Sequence, residues 1–510
     1  MFIFFNKIKQ LAEPFKKIRC FVPMHAIVVG SGIAGLAVAL RLKKKGFSVE
    51  VFEKNDYVGG KLTAFEQDGF RFDAGPSLFT LPKQVDELFE LFNENPRAHF
   101  NYMKLDIACN YFWQDGTQLS ASGNIIDFAR NVEKTFKTPA KSVIKYLKKS
   151  AFVYNTVAPV FLHMSLHKWT NFINLKTLKG ILFMPFLGIF SKLNNYNQQQ
   201  FSHPKLVQLF NRYATYNGSN PYQAPAVLQS IPHLEFNVGA YLPIYGMHDI
   251  TQSLEDLARR QGIVFHLNAP VSKIEIANNK ATGVWVNEDL KSADIVVTNV
   301  DVFPSYKQLL SNQKAPEKVM SQPRSSSALI FYWGLKKEFT QLDVHNIFFS
   351  KDYKEEFDFI FKKKTVGNDP TIYINITSKK IKDDAPAGCE NWFVMINVPG
   401  NTGQNWDEII NRSRRNIIEK LSSILKVDVA AFILNESILD PRSIENKTSS
   451  YQGSLYGSSS NNRNAAFQRH ANFSSKLKGL YFCGGSVHPG GGIPLCLQSA
   501  RIVADLIPKS

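Results

Sequence analysis

Gly30-Ser31-Gly32-Ile33-Ala34-Gly35 constrains this chain more than any other stretch, because of what stands on either side of it. His25–Val29 is a short apolar run with strand character, and Leu36–Leu42 reads as a helix. Lys43–Lys45 fall in that helix's last turn, where cations complement the dipole, and Gly46 stands where a left-handed cap belongs. Ser48–Phe52 alternates as a second strand and ends at Glu53. Strand, glycine turn, helix and strand in this order predict a βαβ unit. Gly30 permits the tight turn, Gly32 lets a pyrophosphate approach bare backbone, and Gly35 lets helix pack on strand. Phosphates then rest at the positive helix N-terminus, beside Ile33 and Ala34. Glu53, 23 residues beyond Gly30, stands at a strand end where its carboxylate can hold ribose hydroxyls. The chain is expected to bind an adenine dinucleotide, and this unit alone does not separate NAD from FAD.

A second segment able to bring bare backbone against a cofactor lies near the opposite end, at Gly484-Gly485-Ser486-Val487-His488-Pro489-Gly490-Gly491-Gly492-Ile493-Pro494. Leu480–Cys483 before it is strand-like, and Leu495–Leu506 after it is helix-like. Two such segments predict one large cofactor-binding fold closed by its own tail, and together they point to a flavin enzyme.

At 510 residues the chain is too long for one simple core, so two or three packed lobes are expected. Its 40 phenylalanines suit a lobe that holds something large and apolar, or an ordinary aromatic-rich core. A net charge of +17 favours an anionic partner. The basic residues are scattered and no nucleic-acid-binding motif is present, so a membrane surface is the better candidate, with a merely solvated basic exterior as the alternative. Cys20, Cys109, Cys389, Cys483 and Cys496 are odd in number and widely spaced, which argues against a disulfide framework or a metal site and fits a reducing cytoplasm. No run is long enough to span a bilayer. The segment Ile181–Phe190 is short and broken by Pro185 and Gly188, and suits a core segment or a lip dipping into one leaflet. Residues 1–23 form a basic amphipathic pattern interrupted by Pro14, suited to membrane contact; alternatively Met24 is the natural start.

Tyr111–Trp113 and Thr117–Leu119 flank Asp115-Gly116 as a hairpin, and helical patterns predominate from about residue 125 to 215. Ile250, Leu254, Leu257 and Ala258 share a helix face closed by Gly262. Strands are expected at Val264–Leu267, Val271–Ile276, Ala281–Val286 and Ile295–Thr298, with a turn at Asn278-Asn279. Ser327–Leu335, Thr371–Ile376 and Trp392–Val398 are strand-like, Trp406–Leu425 is helix-like, and Gly453–Asn464 is loop.

Gly59-Gly60-Lys61-Leu62-Thr63 makes the dinucleotide FAD by resemblance: the chain here resembles the FAD-dependent amine oxidase and phytoene desaturase superfamily, which carries arginine where Lys61 stands. Lysine keeps the point charge but loses the bidentate fork. Phe72–Ser77, Tyr241–Met247, Val271–Ile274, Val297–Asp301, Ser325–Leu335 and His345–Ser350 are similar to carotenoid desaturases, with Tyr245 in place of a glycine. The tail is similar to the hydroxycarotenoid 3,4-desaturase branch. This resemblance covers the chain from Met24 to Ile507.

The resemblance implies an α/β fold. It has a Rossmann-like, amine-oxidase-like FAD-binding domain (24–95, 231–300 and 475–510), a largely helical, membrane-proximal substrate lobe (96–230) and a mixed-sheet α+β substrate domain (301–474). Lys54, Gly59, Gly60, Lys61, Leu62, Val271, Gly484, Gly491, Gly492 and Ile493 join Gly30, Gly32, Ile33, Ala34, Gly35 and Glu53 as expected FAD contacts. Gly490–Gly492 would lie against the isoalloxazine ring, and the Ile493 helix would aim its positive end there. His488 is the candidate acid or base, with a packing or hydrogen-bonding role ahead of Pro489 as the favoured alternative. The implied substrate is a C40 polyene, and the implied reaction is removal of two hydrogens from a saturated C–C bond by hydride transfer to the flavin and proton loss from the neighbouring carbon. The protein would be a cytoplasmic, peripheral membrane enzyme whose electron acceptor is oxygen or a quinone. The rival readings are an amine or porphyrinogen oxidase and a non-catalytic membrane-associated flavoprotein.

Overall fold

The computed structural model describes residues 23–172, 187–462 and 464–510. The amphipathic pattern expected over 1–23 and most of the apolar segment 181–190 lie outside the described residues.

A parallel five-stranded sheet is built around β1 (His25–Val29). β1 is flanked by β2 (Ser48–Phe52) and by Ile295–Thr298, so Val28 stands between Val51 and Val297. Val264–His266 completes one edge and Leu480–Phe482 the other. Strands covered on both faces read as continuous apolar runs, as Ile27-Val28-Val29 and Ile295-Val296-Val297 do. The helix α1 (Ile33–Lys44) is apolar around most of its circumference and almost wholly buried. One flank packs on the chain's final helix, Ile493–Leu506, where Leu36, Ala37 and Leu40 share a core with Leu497, Ala500 and Val503. Lys45 donates to the carbonyls of Ala504 and Ile507, fixing the two helix ends together. The first and last elements among the described residues therefore belong to one layer, as their motifs predict.

Four expected strands after residue 260 are present, together with a fifth at Asp289–Ser292. Asp-Leu-Lys-Ser carries no apolar alternation because all of its residues are exposed, and it is held only by pairing with Lys280–Val286. Asn278 and Asn279 both adopt positive φ (49° and 57°), the geometry of a tight hairpin turn.

A mixed seven-stranded sheet forms the second layer; its strand Ser327–Leu335, beside the edge strand Ile433–Leu439, has all nine residues buried. Trp406–Leu425 covers one part of it with Trp406, Ile417 and Leu421. The hairpin Ile107–Phe112 and Gln118–Ser122, grouped by sequence with the helical segment 96–230, extends this sheet instead, through parallel pairing of Ile107–Phe112 with His345–Phe348. A hairpin's strands look alike whichever sheet they join, so only the tertiary pairing assigns them. The helices Ile125–Phe136, Ala140–Val157, Leu193–Gln200 and Pro204–Asn211 follow, packed through Tyr146, Phe201 and Phe210.

Gly35 sits at the tightest backbone contact of the first layer: a Cβ there would stand 2.1 Å from the Gly30 carbonyl oxygen. We expect Gly35→Ala to lower stability by about 2 kcal/mol or more. Thermal unfolding would show it, and a midpoint equal to that of the parent would refute it.

Candidate cofactor and substrate cavity

The glycine turn and the tail are held against each other by Asn299, at the end of Ile295–Thr298. Its backbone N–H donates to Val29 at 2.8 Å, and its Nδ2 donates to the carbonyl of Cys483 at 3.1 Å. The neighbouring glycines leave no room beyond hydrogen: a Cβ would stand 2.8 Å from Asn299 Oδ1 at Gly32 and 2.6 Å from Asn299 Nδ2 at Gly484. Gly30 turns through φ +93° and donates to the Phe52 carbonyl at 2.8 Å. No side chain caps α1, so the first-turn amides beside Ile33 and Ala34 face the cavity.

Gly30, Gly32, Ile33, Ala34 and Glu53 all line one continuous cavity of about 1800 Å³. Gly35 stands behind them and does not. Glu53 is buried; one carboxylate oxygen accepts from the Ser31 amide and hydroxyl (2.8 and 2.7 Å), the other from the Asn55 amide and side chain (3.0 and 2.9 Å). The Lys54 ammonium donates to the Asn446 carbonyl and Ser449 hydroxyl, both at 2.8 Å, and Lys54 and Val271 both line the cavity.

Gly59, Gly60, Lys61 and Leu62 form the next wall. Gly59 pairs alongside Gly32, and its N–H donates to Ser31 at 3.1 Å. Lys61 is enclosed, donating to the carbonyls of Ser454 and Leu455 at 3.1 Å each, with no carboxylate in ion-pair contact. Burial pulls its ammonium pKa down to about 8, against the opposing field of Asp301. Asp301 itself pairs with Arg324, and both are partly buried.

The tail closes the cavity with Gly484, Gly491, Gly492, Ile493 and His488. Gly491 packs against the Tyr456 backbone, where a Cβ would stand 2.6 Å from its Cα. Gly492 turns through φ +105°, and the helix beginning at Ile493 has no side-chain cap. His488 is buried, and its Nε2 donates to the Met164 carbonyl at 3.0 Å. Burial holds its pKa down at about 3, so the ring is neutral at physiological pH and ties the helical segment to the tail.

Three groups of the cavity were not among the site residues read from the sequence. Arg469 donates to the carbonyls of Tyr456 (3.2 Å) and Ser458 (2.7 Å), packs on Gly490, and has no carboxylate partner; burial lowers its pKa to about 10. Arg212 and Glu235 form a buried pair at 3.3 Å. His345 lies on the seven-stranded sheet, fully enclosed. No spacing rule links residues 212, 235, 345 and 469, because the fold alone brings them to one cavity. Among the described residues no cluster of three metal-ligating side chains occurs.

These residues fit a flavin adenine dinucleotide. The glycines form a backbone cradle that side chains would fill, and two uncapped helix N-termini face it. Lys61 and Arg469 are buried cations lacking a carboxylate within the wall, an arrangement that an anionic diphosphate or an electron-rich ring system would stabilise.

Residues 33–508 match the family of flavin containing amine oxidoreductases. A 1-hydroxycarotenoid 3,4-desaturase from a Flavobacterium species is 55% identical over 485 residues, covering 95% of this chain and 99% of that protein. A 4,4'-diapolycopene oxygenase from a Methylomonas species is 32% identical, over 95% of this chain and 98% of the relative. A phytoene desaturase from Fusarium fujikuroi is 29% identical, over 96% of this chain and 90% of that one. Among solved structures, an oxidoreductase from Methanosarcina mazei superposes with a TM-score of 0.64 at 16% identity, covering 95% of this chain and all of that one. A putrescine oxidase variant gives 0.62 at 14% identity, covering 96% and 99%. These two share the fold.

Burial lowers the pKa of His345 to about 3, His470 to about 4 and His488 to about 3. Below the unfolded value of 6.5 the unfolded chain takes up protons that the folded chain refuses. Their contribution is therefore complete above pH 6.5 and is lost progressively towards about pH 3. Each group costs at most about 1.4 kcal/mol per pH unit. Thermal midpoints should fall between pH 6.5 and 5, with a shallower slope in His488→Gln; equal slopes would contradict this.

Proposed function

This chain belongs to the flavin-containing amine oxidoreductase family, in its FAD-dependent carotenoid desaturase branch, and from that membership we propose that it desaturates a 1-hydroxylated C40 polyene at the 3,4 bond. The observation that carries the reading is the single cavity, which joins the glycine cradle to a wall of apolar and aromatic side chains including Ala328, Ile330, Tyr332, Phe393 and Met395. Its volume of about 1800 Å³ exceeds the roughly 300–1,000 Å³ of an ordinary small-molecule pocket, as a long polyene requires.

FAD, when bound, supplies the two-electron acceptor for hydrogens leaving a saturated C–C bond. Glu53 would hold the adenosine ribose, the α1 amides and Lys61 the diphosphate, and Gly490–Gly492 the ring. Arg469 and the Ile493 helix place positive potential beside that ring, favouring negative charge there. The apolar wall excludes water and fixes which bond of the polyene faces the cofactor. His488 is neutral and too weakly basic to abstract a proton, so we assign it the hydrogen-bonding role. Glu235 and Asp301 in the cavity wall are each paired with an arginine, so neither is free to hold a cationic amine.

Delivery of such a substrate implies a membrane surface. Phe161 and Phe467 stack edge-to-face at the cavity lining, and Phe190 and Phe467 are 72% and 47% exposed. With a net charge of +17, this rim suits docking on anionic lipid. No helix among the described residues is long and apolar enough to cross a membrane. Electrons would leave to oxygen or a quinone.

The decisive experiment supplies the purified protein with 1-hydroxylated carotenoid in anionic liposomes. A red-shifted product, flavin bleaching without air, renewed turnover on adding oxygen or a quinone, and co-sedimentation with the vesicles are expected. An unchanged pigment spectrum and an unbleached flavin would overturn the enzyme reading; protein left in the supernatant would overturn the docking. For the apoprotein, FAD affinity should weaken as pH rises through about 8, where Lys61 loses its charge. Lys61→Met should raise the FAD dissociation constant about tenfold or more and remove that pH dependence, measured by flavin fluorescence.

A further inference from the structure

One stretch of the cavity wall is polar although removing hydrogens from a hydrocarbon does not require it. Ser77, Arg212, Glu235, His345 and Tyr373 all line the same cavity. Ser77 and Tyr373 share a hydrogen bond at 2.9 Å, and the Tyr373 hydroxyl meets His345 Nδ1 at 2.8 Å. Asn375 Nδ2, an N–H donor, also approaches His345 Nδ1 at 3.3 Å, so that nitrogen is the acceptor. Burial and the nearby Arg212 charge keep the ring neutral, with a pKa near 3. A neutral imidazole that accepts at Nδ1 carries its proton on Nε2. Among the described residues that Nε2–H has no partner, and neither does the Nε–H of Arg212.

The rest of the cage is closed to further donors. Glu235 accepts from Tyr213 at 3.0 Å, from Tyr216, and from Arg212 at 3.3 Å on both oxygens. The Arg212–Glu235 pair cancels in charge, so the cage suits neither a carboxylate nor an ammonium group. Its two unpartnered N–H groups lie just beneath the cavity surface and match a neutral oxygen rather than an ion. Buried donors left unpaired are costly, and an oxygen-bearing ligand relieves that cost.

We propose that His345 determines substrate specificity by donating its Nε2–H to the hydroxyl oxygen at the end of the polyene, within a cage completed by Arg212 and Glu235. This inference rests on the desaturase reading above. Its position agrees with that reading. Ser77 lies two residues beyond Gly75, whose backbone packs so closely on Lys61 that a Cβ would stand 1.8 Å from the Lys61 carbonyl oxygen. The cage is thus anchored to the wall that flanks the cofactor cradle. In the substrate named for the Flavobacterium relative, the hydroxylated carbon is two carbons from the bond that is desaturated. A contact holding that hydroxyl also selects the bond presented for reaction.

The test compares two carotenoids that differ only in the terminal hydroxyl, each in liposomes, with holoenzymes matched in FAD content. The parent should favour the hydroxylated substrate in kcat/KM by about tenfold or more. His345→Phe should drive that ratio towards one, mainly through KM, while His345→Gln, which keeps an N–H donor, should retain part of it. Binding is read independently by quenching of tryptophan fluorescence. A parent without preference, or a preference that survives in His345→Phe, overturns the cage while leaving desaturation intact. If neither pigment is desaturated, the desaturase reading falls. Quenching then decides the cage: tighter binding of the hydroxylated compound, lost in His345→Phe, supports it, and equal binding refutes it.

Discussion

Asn299 is the contact on which the cofactor fold depends. Its backbone continues the central sheet from Val29, and its side chain reaches the carbonyl of Cys483 across from the glycine turn. Both glycine segments must be bare there because the amide group fills the space between them. Gly32 and Gly484 are distant in sequence and share one neighbour, so neither segment has its final shape without the other. A side chain at either position would push the turn away from the tail and open the cradle.

The α/β layer was legible because each of its signals is local. The glycines, the apolar strands and Glu53 act within one βαβ unit, and the final strand and helix announce themselves by a similar glycine turn. Trp406–Leu425 is local in the same way: the Asn405 side chain caps its start, accepting from the Glu408 amide, and Lys426 leaves it in the left-handed region. The fully exposed strand Asp289–Ser292 had no apolar pattern to reveal it. The cage residues were hidden for a different cause. Arg212, Glu235 and His345 are ordinary polar residues in their own segments and acquire meaning only when a helix and a sheet face each other.

Electrostatics divide the cavity into regions of different character. Around the cradle, Lys61 and Arg469 are buried cations satisfied only by carbonyl oxygens, a state suited to receiving negative charge. Around His345 the charges cancel pairwise, and unpartnered N–H groups remain. Elsewhere the wall includes apolar side chains such as Ala328, Ile330, Phe393 and Met395. A long polyene with one oxygenated end matches these environments better than a small cationic substrate does, because each part of it meets a surface of its own polarity.

The order of elements along the chain has a consequence for biosynthesis. Leu480–Phe482 forms an edge of the first sheet, and Ile493–Leu506 packs on α1, yet both emerge after nearly everything they contact. While the ribosome is still adding them, Ile295–Thr298 has an unpaired sheet edge and α1 an uncovered apolar flank. The amino-terminal unit must wait, partly built, through the synthesis of the helical segment and the second layer. FAD capture is therefore a late event, and a nascent chain stalled before Gly484 holds half a cradle with nothing to close it.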